Sequence, residues 1–218
     1  MKPMLIGKVH DTLEHFVSTF EAPVVTLMKV RGADPFKILV STILSARTND
    51  KITAPATTRL FKTVKKLNDL NKLSTKQIES LIYPVGFYKT KAKHLKELPK
   101  AINENFDGKI PKTIDELIQL PGVGRKTANL VMTEAFDEDA ICVDTHIHRI
   151  MNRLGYVKTK NTFQTEMVLR KKLPKQYWKS INHILVAFGQ QHCTPINPKC
   201  STCPVRIYCN RIGVKKSR

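Results

Sequence analysis

Leu120-Pro121-Gly122-Val123-Gly124-Arg125-Lys126-Thr127-Ala128 lies between two helical patterns. Upstream, Thr113 and Glu116 have the spacing of a capping box, which predicts a helix over Asp115 to Gln119. Pro121 and Gly122 end that helix, because proline removes a backbone donor and glycine accepts a positive φ. Gly124 then opens a second helix through Ala128, Leu130, Val131 and Ala135. The product is a helix, a tight hairpin and a helix. Amides at the start of the second helix point outward and attract an anion, and the glycines leave room for a phosphate. Lys126 falls in the first turn of that helix, beside whatever the hairpin grips. Taken alone, the stretch suits an ordinary helical hairpin with a surface lysine equally well.

The rest of the chain supplies context. Its 218 residues can bury a real core, and the apolar fraction of 41% is that of a folded protein. The formal charge is +19, with a pI near 9.9. So large a cationic excess seeks a polyanion, and nucleic acid is a better partner than an anionic membrane. No apolar run is long enough to span a bilayer, and Met1 to Val9 lacks the h-region and cleavage site of a secretory signal. The expected location is the cytoplasm of a prokaryotic cell, at the nucleoid.

Four of the five cysteines crowd one end: Cys193, Cys200, Cys203 and Cys209, with six, two and five residues between them. In a reducing compartment such clustering predicts a metal centre rather than a disulfide framework. By spacing alone the centre could be zinc or an iron–sulfur cluster. Cys142 precedes Val143 in an apolar stretch and reads as a small buried residue.

Nearly every periodic segment repeats as a helix, so the predicted class is all-α. Val9 to Phe20 is amphipathic and is ended by Pro23. Asp34 and Pro35 read as N-cap and first residue of a helix through Ile38, Leu39, Thr42, Ile43 and Leu44, apolar enough to be central. Ile52 to Leu67 continues the pattern, with Pro55 acceptable in a first turn. Ser74 and Gln77 form a second capping box, before a short helix closed by Pro84. Gly86 to Lys91 reads as a basic and aromatic turn, leading to a helix through Ala92, Leu95 and Leu98 that Pro99 should kink or stop. Thr145 to Leu154, Phe163 to Lys172 and Tyr177 to Phe188 complete the helices. Val24 to Val30 could be a short strand.

The hairpin with its lysine, the run Val143-Asp144-Thr145-His146 and the cysteine spacing together resemble the endonuclease III family of DNA glycosylases. This is the helix-hairpin-helix group that carries an iron–sulfur cluster, and the likeness runs from about Pro35 to about Cys209. It implies a helical domain over 28–139, inserted into a cluster domain made of 1–27 and 140–218, with the active site in the cleft between them. It also implies that Cys193, Cys200, Cys203 and Cys209 hold a [4Fe–4S] cluster.

The implied chemistry is base removal followed by strand nicking. In the family the hairpin lysine is the nucleophile, here Lys126, and the catalytic aspartate falls on Asp144. An amine that attacks the sugar C1′ expels the base and forms a Schiff base, which permits β-elimination of the 3′ phosphate. The amine must be neutral to attack, and the positive charge of Arg125 and of the helix N-terminus works in that direction. A carboxylate stabilises the oxocarbenium character of the transition state. Asp144 also reads as an N-cap for the helix beginning at Thr145, and both roles can coexist. His146 and His148 read as structural or near DNA, outside the chemistry.

Base excision needs the nucleotide turned out of the duplex and the gap filled. The family inserts side chains from two loops, matched here by Ser45 to Asp50 and Gly86 to Tyr88. Phe87 is then an apolar wedge, or alternatively a core contact at a helix start. Arg47 departs from the glutamine common among relatives. It could donate to the orphaned base or be a surface residue at a helix end, and it leaves opposite-base preference open. Gly122, Val123, Gly124 and Arg125 complete the expected DNA contacts. The expected protein is a monomeric glycosylase and abasic-site lyase that binds damaged double-stranded DNA and excises oxidised pyrimidines. The rivals are a monofunctional uracil or thymine mismatch glycosylase and a non-enzymatic iron–sulfur DNA-binding module.

Overall fold

The computed structural model describes residues 5–18, 20 and 34–218, with Asp50 described by its backbone. Among the described residues it is all-helical, with no strand. The chain divides into two compact units, Pro23–Glu138 and a second built from Met1–Ala22 with Asp139–Arg218. The possible strand at Val24 to Val30 and the stop at Pro23 lie outside the described residues. No described helix is long and apolar enough to cross a membrane.

In the unit Pro23–Glu138, helix α1 of the chain (Ile6–Ser18) plays no part, and the centre is α2 (Pro35–Ser45). Asp34 caps it by accepting from the Phe36 amide at 3.0 Å, and Pro35 occupies the first turn, where a missing N–H costs nothing. Phe36 and Ile38 to Leu44 are all buried. Burying such side chains stabilises the fold by about 1.5–3 kcal/mol each. Around α2 pack α5 (Tyr88–Phe106) and α7 (Arg125–Phe136), with α3 (Asp50–Thr63), α4 (Thr75–Ile82) and the single turn α6 (Ile114–Leu117) completing the unit. Ser74 and Gln77 make the full reciprocal capping box ahead of α4.

Several helix boundaries differ from the expectation, and the helix expected to reach Leu67 ends at Thr63. Helix α3 starts at Asp50, capped by Asn49, so Pro55 sits in its second turn. Pro55 is exposed, and water can reach the carbonyl its ring leaves without a donor. Helix α5 starts at Tyr88, so the Gly86 to Lys91 stretch is only a turn as far as Phe87. It also runs past Pro99 to Phe106. Leu95, Leu98, Pro99 and Ile102 are all buried, and that packing outweighs the roughly 3 kcal/mol cost of an internal proline.

The other unit is organised by α1, α8 (Thr145–Leu154), α9 (Thr162–Lys172) and α10 (Trp178–Gln191). Helix α10 packs on both α1 and α8, and α9 packs on α8. Its core includes Leu13, Ile147, Ile150, Met151, Leu169, Ile184, Leu185 and Phe188. Trp178 is buried there and donates its indole N–H to the Leu173 carbonyl at 2.8 Å. The C-terminal segment then folds back on α8: the Asn210 amide reaches the Leu154 carbonyl and the Ile212 amide the Arg153 carbonyl.

Candidate active site and cysteine pocket

The hairpin forms between α6 and α7. The Thr113 hydroxyl accepts from the Glu116 amide at 3.2 Å and donates to the Glu116 carboxylate at 2.7 Å. The carboxylate thus takes the hydroxyl proton, where a full capping box would have it accept from the backbone. Leu120 to Val123 closes a turn, with the Val123 amide on the Leu120 carbonyl at 3.1 Å. Pro121 at its second position and Gly122 at φ +76° at its third are the residues a type II turn requires. Gly122 also packs close to α5, where a Cβ would lie 2.6 Å from His94 Nδ1.

Leu117, Leu120 and Val123 point inward and are buried, which leaves Gly122, Gly124 and Lys126 exposed. Val123 can therefore offer a ligand only its main chain. Gly124 caps α7 without a side-chain hydrogen bond, and nothing lies within 4 Å of where its Cβ would be. Lys126 is exposed in the first turn of α7. The Arg125 guanidinium lies 4.0 Å from the Asp115 carboxylate, and Asp115 is so exposed that the pair contributes little.

The two expected insertion loops lie together in this same unit. Arg47 and Phe87 are both exposed, and Phe87 at 63% is not a core contact. The Arg47 guanidinium sits 5.9 Å from the centroid of the Phe87 ring. Each has left-handed backbone, φ +54° and +58°, which costs a non-glycine residue about 1–3 kcal/mol. Behind them Lys91, 6% exposed, donates to the carbonyls of Leu44 and Ala46 and to the Thr48 hydroxyl. Burial pushes its ammonium down to about 8. Sequence reading placed Lys91 in a basic turn and missed this role.

Asp144 belongs to the other unit, as the N-cap of α8. One carboxylate oxygen, Oδ1, accepts from the amides of His146 at 2.8 Å and Ile147 at 3.0 Å. The cap is real, and it fixes the carboxylate at the positive end of a helix. His148 joins Thr165, Asn152 and Thr159 in a hydrogen-bonded group, a structural setting. Cys142 is buried, and its carbonyl accepts from Asn182.

From the same helix, Arg149 and Arg153 reach the first cysteine. Arg149 donates to the carbonyls of Cys193 and Gly189. Burial depresses its guanidinium, partly offset by the charges of Cys193 and Asp144. Arg153 donates to the Sγ of Cys193 at 3.4 Å and to the carbonyls of Thr194 and Pro195, both at 2.7 Å. The sequence offered no pointer to either arginine beyond their place on α8.

Cys193, Cys200, Cys203 and Cys209 line one pocket, walled by Ile150, Leu154, Phe188 and Val205. All four are free thiols. Burial pushes the thiols of Cys203 and Cys209 up, Cys203 to about 11, and the neighbouring cysteines add like charge. Four thiolates in such a place need a cationic centre to hold them. A tetrahedral ion with bonds of about 2.3 Å would draw its sulfurs to about 3.8 Å of one another. Among the described residues, the set with three ligand atoms within 4.8 Å is His10, Asp11 and Glu14, and no trio of these cysteines forms one. His192 also lines the pocket, and its buried Nε2 has no hydrogen-bond partner among the described residues.

Residues 40–175 match the model of the HhH-GPD superfamily base excision DNA repair proteins. The chain is 43% identical to endonuclease III of Thermotoga maritima over 179 residues, 82% of this chain and 84% of that one. It is 38% identical to endonuclease III of Bacillus subtilis over 187 residues, 85% of each. A trapped covalent endonuclease III–DNA intermediate has a similar fold, with a TM-score of 0.80 at 32% identity, covering 94% of this chain and 95% of that one. A thermostable thymine-DNA glycosylase reaches 0.81 at 26% identity over the same shares.

Proposed function

The chain belongs to the endonuclease III family, within the HhH-GPD superfamily of base excision repair proteins, and we propose that Lys126 and Asp144 are the residues that carry its reaction. The family's activity is that of a DNA glycosylase with abasic-site lyase activity, and this chain is such an enzyme. The observation that carries the residue assignment is an exposed lysine in the first turn of a helix whose glycine cap leaves open space in front of it.

The hairpin grips a phosphate beside the damaged nucleotide through the main-chain amides of Gly122, Gly124 and Arg125, the Val123 amide being held in the turn. Lys126 attacks C1′ of the extruded sugar, and the C1′–N bond breaks as the base leaves with its electrons. Asp144 stabilises positive charge on the sugar as that bond breaks. The nitrogen then loses a proton as the C1′–O4′ bond opens to give the protonated imine and a ring-opened sugar, which acidifies the C2′ proton, and loss of that proton expels the 3′ phosphate. The two residues lie in different units of the fold.

Oxidised pyrimidine is the substrate that fits the family. Likeness to a thymine-DNA glycosylase, together with Arg47, favours a mismatch glycosylase as the second reading. The amine of Lys126 argues for the lyase-competent type.

The four cysteines would hold a [4Fe–4S] cluster. Membership of the endonuclease III family supports that choice over zinc. The cluster when bound would supply a rigid cross-link of the C-terminal segment. The protein would act as a monomer on double-stranded DNA inside the cell.

Borohydride trapping on abasic DNA tests the reading. Wild type should give a covalent adduct and Lys126→Ala none. Absence of the adduct with wild type would overturn the lysine assignment.

A further inference from the structure

We infer that Lys91 is a positioning residue that sets Arg47 and Phe87 to fill the gap a nucleotide leaves when it turns out of a duplex. The inference rests on the reading of the enzyme given above and extends it to a residue that touches neither DNA nor the reacting atoms.

The three oxygens that Lys91 binds lie on one short stretch at the end of α2. Nζ is 2.8 Å from the Leu44 carbonyl, 2.6 Å from that of Ala46 and 3.1 Å from the Thr48 hydroxyl. They flank Arg47 on both sides. Carbonyls at a helix C-terminus lack intrahelical donors and carry the negative end of the dipole, so an ammonium is the complementary group. None of its hydrogen-bond partners is a carboxylate. Such a buried cation is costly, and here it organises a turn that an ordinary cap would leave loose.

Thr48 passes the constraint on to the second loop. Its hydroxyl accepts from Lys91 and from the Gly86 amide at 3.2 Å, and donates to the Ala46 carbonyl at 3.4 Å. Both acceptor positions and the one donor are used. A Cβ at Gly86 would lie 3.0 Å from the Arg47 carbonyl oxygen, so any other residue would push the loops apart by a few tenths of an ångström. Phe87 follows directly. Arg47 and Phe87 are each strained in left-handed backbone, and neither can relax while the lysine, Thr48 and Gly86 hold their neighbours. The result is a cationic and an aromatic side chain, 5.9 Å apart, both presented to solvent on a pinned base. Burial pushes the Lys91 ammonium down to about 8, so it still carries its three donors at neutral pH.

The test compares β-elimination at one abasic site in a duplex and in an unpaired bubble, where no gap needs filling. Lys91→Met should lower the duplex rate by about tenfold and leave the bubble rate unchanged. Phe87→Ala and Arg47→Ala should lower the duplex rate relative to the bubble rate, and Lys91→Met combined with Phe87→Ala should lower that ratio no further than the more severe single variant. If Phe87→Ala and Arg47→Ala leave the ratio of the two rates where it is, the gap-filling reading of these loops fails, and the inference with it. If they lower the ratio and Lys91→Met does not, or if Lys91→Met slows both substrates alike, the inference fails and the reading stands. Should Lys91→Met not fold, Thr48→Val removes the hydroxyl that links the loops and must meet the same two outcomes.

Discussion

Arg153 holds Cys193 from the far end of the helix that Asp144 begins. Its guanidinium touches the Cys193 sulfur at 3.4 Å and the next two carbonyls at 2.7 Å each. The helix bearing the proposed catalytic carboxylate is therefore the same one that fastens the cysteine segment. Replacing Arg153 removes the hydrogen bonds to the Thr194 and Pro195 carbonyls, at about 1 kcal/mol each since water can reach these residues. Arg153→Met should lose the absorbance of a bound iron–sulfur cluster about tenfold faster than wild type under air, followed by visible spectroscopy. Equal decay rates would show that the arginine plays no part in holding the centre.

Asp144 combines two duties that substitution can separate. Asparagine is as good an N-cap as aspartate, whereas alanine loses the bonds to His146 and Ile147 and costs about 1 kcal/mol. Asp144→Asn should keep the melting temperature and slow base release. Asp144→Ala should lower both. A fully active Asp144→Asn enzyme would reduce the residue to a cap.

The two hairpin glycines should respond differently to alanine. Gly122 has φ +76° and a Cβ would meet His94 at 2.6 Å, so Gly122→Ala should destabilise the free protein by roughly 1–3 kcal/mol. Gly124 has φ −91° and open space, so Gly124→Ala should leave stability unchanged. Any loss of DNA affinity in Gly124→Ala then reports the phosphate alone. Melting curves beside binding isotherms check both, and unaltered affinity in Gly124→Ala would remove the phosphate from that position.

Lys91 titrates near 8 in the folded protein, against an ordinary value of 10.5. Between those values the unfolded chain holds a proton the folded chain has lost, so folding gains stability as pH rises. Relative to Lys91→Met, wild type should become more stable from about pH 8 to 10, measured by urea unfolding at a series of pH values. A flat difference would mean that the lysine titrates normally.

A formal charge of +19 should appear as salt-dependent binding. Log affinity for duplex DNA should fall linearly with log salt, with a slope close to the number of phosphates neutralised. Affinity that ignores salt would divorce the positive surface from DNA.

What could be read along the chain was whatever one helical turn encloses. Asp34 reaches Phe36, and Ser74 and Gln77 reach each other across three residues, so caps and helix starts were legible. Pro121 and Gly122 likewise spell their turn in adjacent positions. The cysteine spacing and the family likeness marked the candidate metal centre and the candidate chemistry without any geometry. Distance in sequence hid the remainder. Lys91 binds oxygens 43 to 47 residues away, and Arg153 binds carbonyls about 40 residues on, so neither has a local signature. Pro99 looked like a stop because its cost is local, while the packing that overrides it comes from other helices. Phe87 could have been core or surface, since an aromatic at a helix start satisfies both patterns until neighbours surround it or leave it bare. Hydrogen bonding within a turn depends on a few successive residues, but burial depends on what the rest of the chain brings to the same place.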